Sequence, residues 1–330
     1  MTPHDTVGPV SADVEVRPPL STGSVSLRIY PHTGLDAEET VDEMGRQARL
    51  AAEAGFDGVM TSEHHGGFAG YIPNPLQSAG WLLEAMDRGW AAPCPMLLPL
   101  RPPALVAEEV AWLAARFPGR VGLGLAAGSL VDDFEIMGLT KENLTARFAA
   151  GLTLLAGALG GSDPGRLAGD PAVARCRDHP VPLASAAMSG AAVRRAAGQA
   201  MAIIFDSLST AERVRELVDA YREAGGEKAA ILIRRVWVGR PPSDEMRKQV
   251  DVYRGYADPG AQVHWKADEL VAGSDAASVA ESLLAVMNRA GADAVNVRVH
   301  APGIAPEAVR EQITALAGVV TALKKRLTVG

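Results

Sequence analysis

A closed (β/α)₈ barrel, eight parallel strands each followed by a helix, is the fold class the sequence predicts. Short apolar runs alternate with helix-period segments eight times along the chain. No block of consecutive strand hairpins interrupts that alternation. Between Ser24 and Leu327 each unit takes roughly 38 residues, so one barrel with short insertions uses nearly all of the 330-residue chain. A doubly wound open sheet shows the same alternation and is the competing architecture. Division by a typical domain length of about 150 residues suggests two domains. The unbroken alternation argues instead for a flexible tail over residues 1–23 and one barrel over 24–330.

In order, Ser24–Tyr30 is a compact strand, and Ala37–Ala54 is a helix that stops at Gly55, a C-cap signal. Asp57–Ser62 is the second strand and Asn74–Met86 its helix. Ala91–Leu98 is the third strand although it holds Pro93 and Pro95, so its pairing must be irregular there. The helix Ala104–Phe117, the strand Val121–Ala126 and the helix Leu144–Leu159 follow. The segment 160–179 is rich in Gly, Asp, Pro and Arg without a period and reads as an excursion. Pro182–Ala186 and Ala191–Ala200 form the fifth unit, and Ala202–Phe205 is the sixth strand. Val214, Leu217, Val218 and Tyr221 recur at i, i+3, i+4, i+7 and mark its helix. Ala230–Val238 is the seventh strand, Asp244–Tyr256 a polar helix, and 258–274 a loop. Val279, Leu283, Val286 and Met287 mark a further helix. Ala294–Val299 is the eighth strand, and Val309, Ile313, Leu316 and Val320 mark the last helix.

Composition narrows the class of function. Hydrophobic residues at 48% and charged residues at 22% are those of an ordinary globular protein, which excludes disorder or collagen for most of the chain. The net charge of −7 argues against a basic nucleic-acid footprint. No apolar run reaches the roughly 18 residues of a membrane span. The Pro-, Ser- and Thr-rich start holds no signal-type apolar core, which predicts a cytoplasmic protein. Cys94 and Cys176 alone make neither a disulfide framework nor a zinc site. No G-x-S-x-G elbow, Walker A loop or EF-hand loop occurs.

In a barrel, chemistry sits at the carboxyl ends of the strands. The second strand ends Thr61-Ser62-Glu63-His64-His65-Gly66-Gly67. Strand alternation sets Glu63 and His65 on one side and His64 on the other. Either His64 is a hydrogen-bonded histidine at a strand end, or it is a general base or a donor to an anionic ring. Adjacent histidines cannot chelate one ion from a strand, so no metal site is expected. At Cys94-Pro95 the third strand has either a plain bulge or a special peptide, a candidate for the cis form. Gly122-Leu123-Gly124-Leu125-Ala126 imitates a dinucleotide fingerprint. Its glycines, however, lie inside the strand rather than after it, which fits close approach of a ligand or neighbouring backbone. Ser189-Gly190 opens a helix as an N-cap or as a phosphate site. Arg298 and His300 end the eighth strand as a solvated rim or as groups facing an acidic or polar substrate. Phe68 and Tyr71 are candidate substrate walls or loop packing. Asp132-Asp133 reads as a solvated loop.

Several of these segments together resemble the bacterial luciferase-like flavin monooxygenases. The similarity runs through Glu53-Ala54-Gly55-Phe56-Asp57-Gly58-Val59, Ser62-Glu63-His64-His65, Asn74-Pro75 and Leu98-Pro99-Leu100-Arg101-Pro102. It continues in order through Glu108-Glu109, Gly119-Arg120-Val121-Gly122-Leu123-Gly124 and Asp133-Phe134-Glu135-Ile136-Met137-Gly138. The resemblance covers most of Ser24–Leu327 and favours the barrel over the open sheet. It implies reduced FMN (FMNH2) bound at the strand ends, or F420 in one branch, with O2 activated through a flavin peroxide.

Carried over residue by residue, the resemblance makes His64 the catalytic acid–base. Glu63, Cys94, Pro95, Ala126, Ser129, Arg147, Ser189 and Gly190 become the cofactor-binding set, with Arg147 and Ser189-Gly190 toward the phosphate. Luciferase carries an arginine where this chain has Ala127 and a polar pair where it has Ala186 and Ala187. Each lost charged hydrogen bond is worth about 1.5–3 kcal/mol. Weak flavin binding follows, with a separate flavin reductase supplying a diffusible cofactor. The expected partners are therefore O2, a small-molecule substrate and that reductase, with no nucleic acid and no membrane. The family often pairs two barrels, which makes a homodimer an expectation. The alternatives are an F420-dependent hydride-transfer enzyme and a non-catalytic luciferase-like subunit.

Overall fold

The computed structural model describes residues 15–256, 263 and 270–327. Its barrel strands are β1 (Val25–Arg28), β2 (Gly58–Thr61), β3 (Trp90–Pro93), β4 (Met96–Leu97), β5 (Leu123–Ala126), β6 (Leu183–Ala186), β7 (Ala202–Ile204), β8 (Ala230–Val238) and β10 (Ala294–Arg298). They pair in parallel in the order β3-β2-β1-β10-β8-β7-β6-β5-β4. β3 and β4 are two halves of the third barrel strand, parted at the Cys94–Pro95 peptide, which is cis. At the seam Ala91 N donates to Arg120 O (3.0 Å) and Gly122 N to Ala91 O (3.2 Å), so the sheet nearly closes on itself. β9 (Leu270–Gly273) extends the outer half of β8.

The helices are α1 (Ala37–Glu53), α2 (Pro75–Ala85), α3 (Pro103–Arg116), α4 (Val131–Ile136), α5 (Leu144–Leu159), α6 (Pro171–Arg175), α7 (Gly190–Gly198), α8 (Ala211–Glu223), α9 (Ser243–Tyr256), α10 (Ala276–Ala290), α11 (Pro306–Ala315) and α12 (Ala317–Leu327). Asp36 starts α1 with a capping box to Glu39, and Asn74 caps α2 with Pro75 as its first residue. The single last helix expected after β10 is two helices, and the excursion 160–179 contains the short α6. Much of the expected loop 258–274 lies outside the described residues; its end is β9. Of the expected tail, residues 1–14 lie outside the described residues, while 15–23 pack beneath the barrel. There the Trp90 indole donates to Arg17 O (3.1 Å), Arg17 N donates to Asp57 Oδ1 (2.9 Å), and Leu20 is buried inside the strand cylinder.

Strand alternation divides the core in two. Val25, Leu27, Val59, Leu123, Leu125, Val295 and Val297 face the helices. Met60, Trp90, Ala92, Cys94, Ala184, Ala202, Ile204, Ile231, Ile233 and Ala294 fill the interior. Across β1 and β10 the interior turns polar: Arg28 Nε donates to Asn296 Oδ1 (2.7 Å), and Asn296 Nδ2 donates to Ser26 Oγ (2.9 Å). The Arg28 guanidinium also reaches Ser62 and donates to Cys94 O (2.8 Å), tying β1 to the break in the third strand.

Close approach explains Gly124. A Cβ there would lie 2.1 Å from Cys94 Sγ and 3.0 Å from Cys94 Cα. Backbone would have to move, so Gly124→Ala should lose about 1–3 kcal/mol in urea unfolding. Gly80→Ala in α2, whose Cβ would meet Leu113 at an ordinary 3.6 Å, should lose nothing. Equal stability of the two variants would contradict this packing.

Candidate active site

The carboxyl end of β2 is the most densely bonded part of the barrel mouth. Glu63 is buried, and its Oε1 accepts from His65 Nε2 (2.7 Å) and from Arg101, while Oε2 accepts from Leu97 N (2.7 Å). Glu63 N donates to Pro95 O (3.2 Å). The carboxylate thus bonds to the chain's own groups and fastens β2 to β4 and to the turn at Leu98–Leu100. As strand geometry requires, Glu63 and His65 share a side and His64 takes the other.

His64 is 13% exposed, and its Nδ1 lies 2.7 Å from Asp133 Oδ2. The other oxygen of Asp133 accepts from His65 N (2.8 Å). Asp133 is fully buried in α4, whereas its neighbour Asp132 is exposed. This corrects the reading of the pair as a solvated loop. A helix of six residues is too short for periodicity to register, and the one available signal was the buried Phe134 beside Asp133. With the carboxylate accepting, a neutral His64 carries its proton on Nδ1 and its lone pair on Nε2.

An aromatic and cationic cluster joins His64. The ring centroids of Phe68 and Tyr71 lie 4.8 and 4.4 Å from that of His64. The Tyr71 hydroxyl is 2.8 Å from that of Tyr253 on α9, which accepts from Arg298 Nη2 (2.7 Å). The Arg298 guanidinium lies 4.6 Å over the Tyr30 ring, on which His300 also stacks, with ring centroids 5.4 Å apart. Arg298 and His300 are 3% and 2% exposed, so they are buried groups rather than a solvated rim. Burial first, then the nearby His32, Arg298 and Arg235, holds the His300 imidazole well below its usual range, and it is neutral at pH 7.

The remaining expected residues lie around the mouth at the third to fifth barrel strands. Cys94 is buried, and that burial pushes its thiol up to about 11, against the opposing pull of Arg28, so it stays protonated. Ala126 is half-buried opposite Leu97, and Ser129 is exposed with its carbonyl accepting from Lys141 Nζ (2.8 Å). Arg147 donates to Pro99 O (2.6 Å) and Thr140 O (3.2 Å), bracing the loops after β4 and α4. Ser189 caps α7 by accepting from Ala192 N (3.3 Å), while the Arg194 guanidinium lies over Gly190 and Arg213 reaches Met188 O (3.5 Å). One group therefore unites His64, Phe68, Tyr71, Arg298 and His300. The other places backbone amides and two arginines at the start of α7.

This arrangement sits at the carboxyl ends of a parallel barrel's strands, where barrel enzymes place their chemistry. The luciferase-like monooxygenase family model matches residues 22–321, and the chain belongs to that family. The alkanal monooxygenase alpha chain of Photorhabdus laumondii subsp. laumondii is 30% identical over 120 residues, 36% of this chain and 33% of the relative. The match thus spans about a third of the length of the curated relatives. The oxygenating constituent of 3,6-diketocamphane monooxygenase of Pseudomonas putida, solved with FMN, superimposes with a TM-score of 0.72 at 18% identity, covering 90% of this chain and 97% of that one. An F420-dependent secondary alcohol dehydrogenase in complex with an F420-acetone adduct gives 0.70 at 17% identity, with 92% and 99% covered. Among the described residues no helix is long and apolar enough to cross a membrane.

The buried histidines set a pH response. His300 and His32 are both lowered from 6.5, each first by burial. Below that value the unfolded chain takes up protons that the folded chain excludes, so stability is complete above about 6.5 and falls as pH drops. His300→Phe keeps the ring but cannot protonate, and should give a shallower acid limb in Tm against pH. An unchanged limb would contradict the assignment.

Proposed function

We propose that the chain is a flavin-dependent monooxygenase that uses reduced FMN and O2 to oxygenate a small organic substrate. The observation that carries this reading is the His64–Asp133 pair at the barrel mouth, between an aromatic wall and the Cys94–Pro95 break. The donor set suits the cofactor: the free amides that open α7, with Ser189, Arg194 and Arg213, match a phosphate. The small residues Ala126, Ala127 and Ala186 leave the mouth open to a flat ring. When bound, the reduced flavin supplies two electrons to O2, one oxygen atom passing to the substrate and the other to water.

This chain's residues then have separate tasks. Asp133 holds the Nδ1 proton of His64, which directs the lone pair of Nε2 to take or return a proton at the reacting atoms. Phe68 and Tyr71 close over His64 and exclude water. Glu63 acts indirectly, keeping β2 against β4 through Leu97 N and Arg101. With Ala127, Ala186 and Ala187 adding no side-chain donor to the cofactor, binding is weak and a separate reductase supplies the reduced flavin. The second reading, F420-dependent hydride transfer, is favoured by the comparable fit of the F420-dependent dehydrogenase.

The test is stopped-flow mixing of the chain with FMNH2, O2 and a panel of alkanals and ketones, with product measured. Product formation should fall by about 10²–10⁴-fold in His64→Ala. Asp133→Asn should fall by less, because it leaves the imidazole but not its orientation. Substrate turnover with reduced F420 and no O2 would replace this reading by the second.

A further inference from the structure

The third inward position of β8 is Arg235, which strand register sets beside Arg298 of β10. Both side chains are buried, at 3% exposure each. Among the described residues neither has a carboxylate partner. Arg235 donates to Met246 O (3.1 Å) and Gln249 Oε1 (2.7 Å), and Arg298 to Tyr253, Ser207 and His300 O. Those neutral acceptors satisfy N–H groups without balancing charge. Two buried cations side by side are costly unless an anion joins them. Burial first, then the charge of Arg298, pulls Arg235 down to about 10, whereas burial lowers Arg298 but its neighbours Tyr253, Tyr30 and Tyr71 hold it above its ordinary value. Around the pair, Arg235 Nε, Gln249 Nε2 and both ring nitrogens of His300 are buried and have no hydrogen-bond partner among the described residues. Arg235 Nε, Gln249 Nε2 and the one protonated nitrogen of the neutral His300 ring could donate, and an acceptor with several lone pairs would satisfy them.

We propose that this cluster binds a carboxylate of the substrate, between Arg235 and Arg298 and against Gln249 and His300. The inference rests on the oxidoreductase reading above and gives it a substrate class, the organic monocarboxylic acids. A planar carboxylate has two oxygens and about four acceptor positions, which suits the few remaining donors and the fork of a guanidinium. The site connects to the chemistry through one residue: Tyr71 touches His64 on one side and the Arg298-bound Tyr253 on the other. An acid anchored here extends its carbon chain under Phe68 and Tyr71 toward His64. The loop that covers the cluster carries Gly66, Gly67 and Gly70 at positive φ, and a Cβ at Gly70 would lie 3.6 Å from His300 Cε1.

The test is calorimetric titration of the full chain, with and without FMN, using octanoate and benzoate and their neutral amides. Octanoate should bind at least about tenfold more tightly than octanamide, and Arg235→Gln should remove that preference. Should Arg235→Gln fail to fold, His300→Phe, which keeps the ring stack on Tyr30, should still weaken octanoate binding. Equal binding of acid and amide, or wild-type affinity in these folded variants, would overturn the site. Octanoate binding that persists while oxygenation fails would overturn the oxygenase and leave the carboxylate site standing.

Discussion

One buried carboxylate organises the barrel mouth. Asp133 divides its oxygens between the His64 imidazole and the backbone N–H of His65, and so decides at once where a ring points and where a strand ends. A buried carboxylate is expensive unless charge-assisted hydrogen bonds satisfy it, and losing one partner of such a network costs far more than a surface contact. From His65 the network passes to Glu63, and from Glu63 to Leu97 N and Arg101. Four segments that are distant in sequence, the ends of β2 and β4, the turn before α3, and α4, are thereby held in one arrangement. His64 inherits its position from all of them.

Beneath that network the barrel interior is uneven, and the unevenness has a use. Around β3 and β5 to β7 the inward residues are small or apolar, and Gly124 lets the strand lie against Cys94. Around β1, β10 and the outer end of β8 they are Ser26, Arg28, Asn296, Arg298 and Arg235. The register pairs Arg28 with Arg298 and Arg298 with Arg235, a layer of three guanidiniums across adjacent strands. Arg28 is engaged by Asn296, Ser62 and Cys94 O, and it links the polar half of the interior to the break in the third strand.

Much of this fold was legible in the sequence because strands and long helices announce themselves by period. The irregular third strand followed from Pro93 and Pro95 alone, and the sides taken by Glu63, His64 and His65 followed from alternation. Asp133 was not legible, since α4 is too short to show a period and a pair of aspartates looks like solvent-facing loop. Arg235 was hidden for the opposite reason. It sits inside Ile-Leu-Ile-Arg-Arg-Val-Trp-Val, a run that reads as one apolar strand, and only the pairing with β10 shows that it faces inward beside Arg298. Glu63 and Arg147, read toward the cofactor by resemblance, bond in the structure to Leu97, His65 and Arg101 and to Pro99 and Thr140. Motif similarity points to positions in the chain, but where their hydrogen bonds go depends on loops that pattern does not specify.

The Asp133 carboxylate, 2.7 Å from Nδ1, fixes the tautomer of His64. The most direct measurement is the ¹⁵N chemical shift of the His64 ring in labelled protein at neutral pH, with Asp133→Asn beside it. The wild-type ring should hold its proton on Nδ1, and the variant should show a mixture of tautomers. A wild-type ring protonated on Nε2 alone, or one indifferent to the substitution, would contradict it.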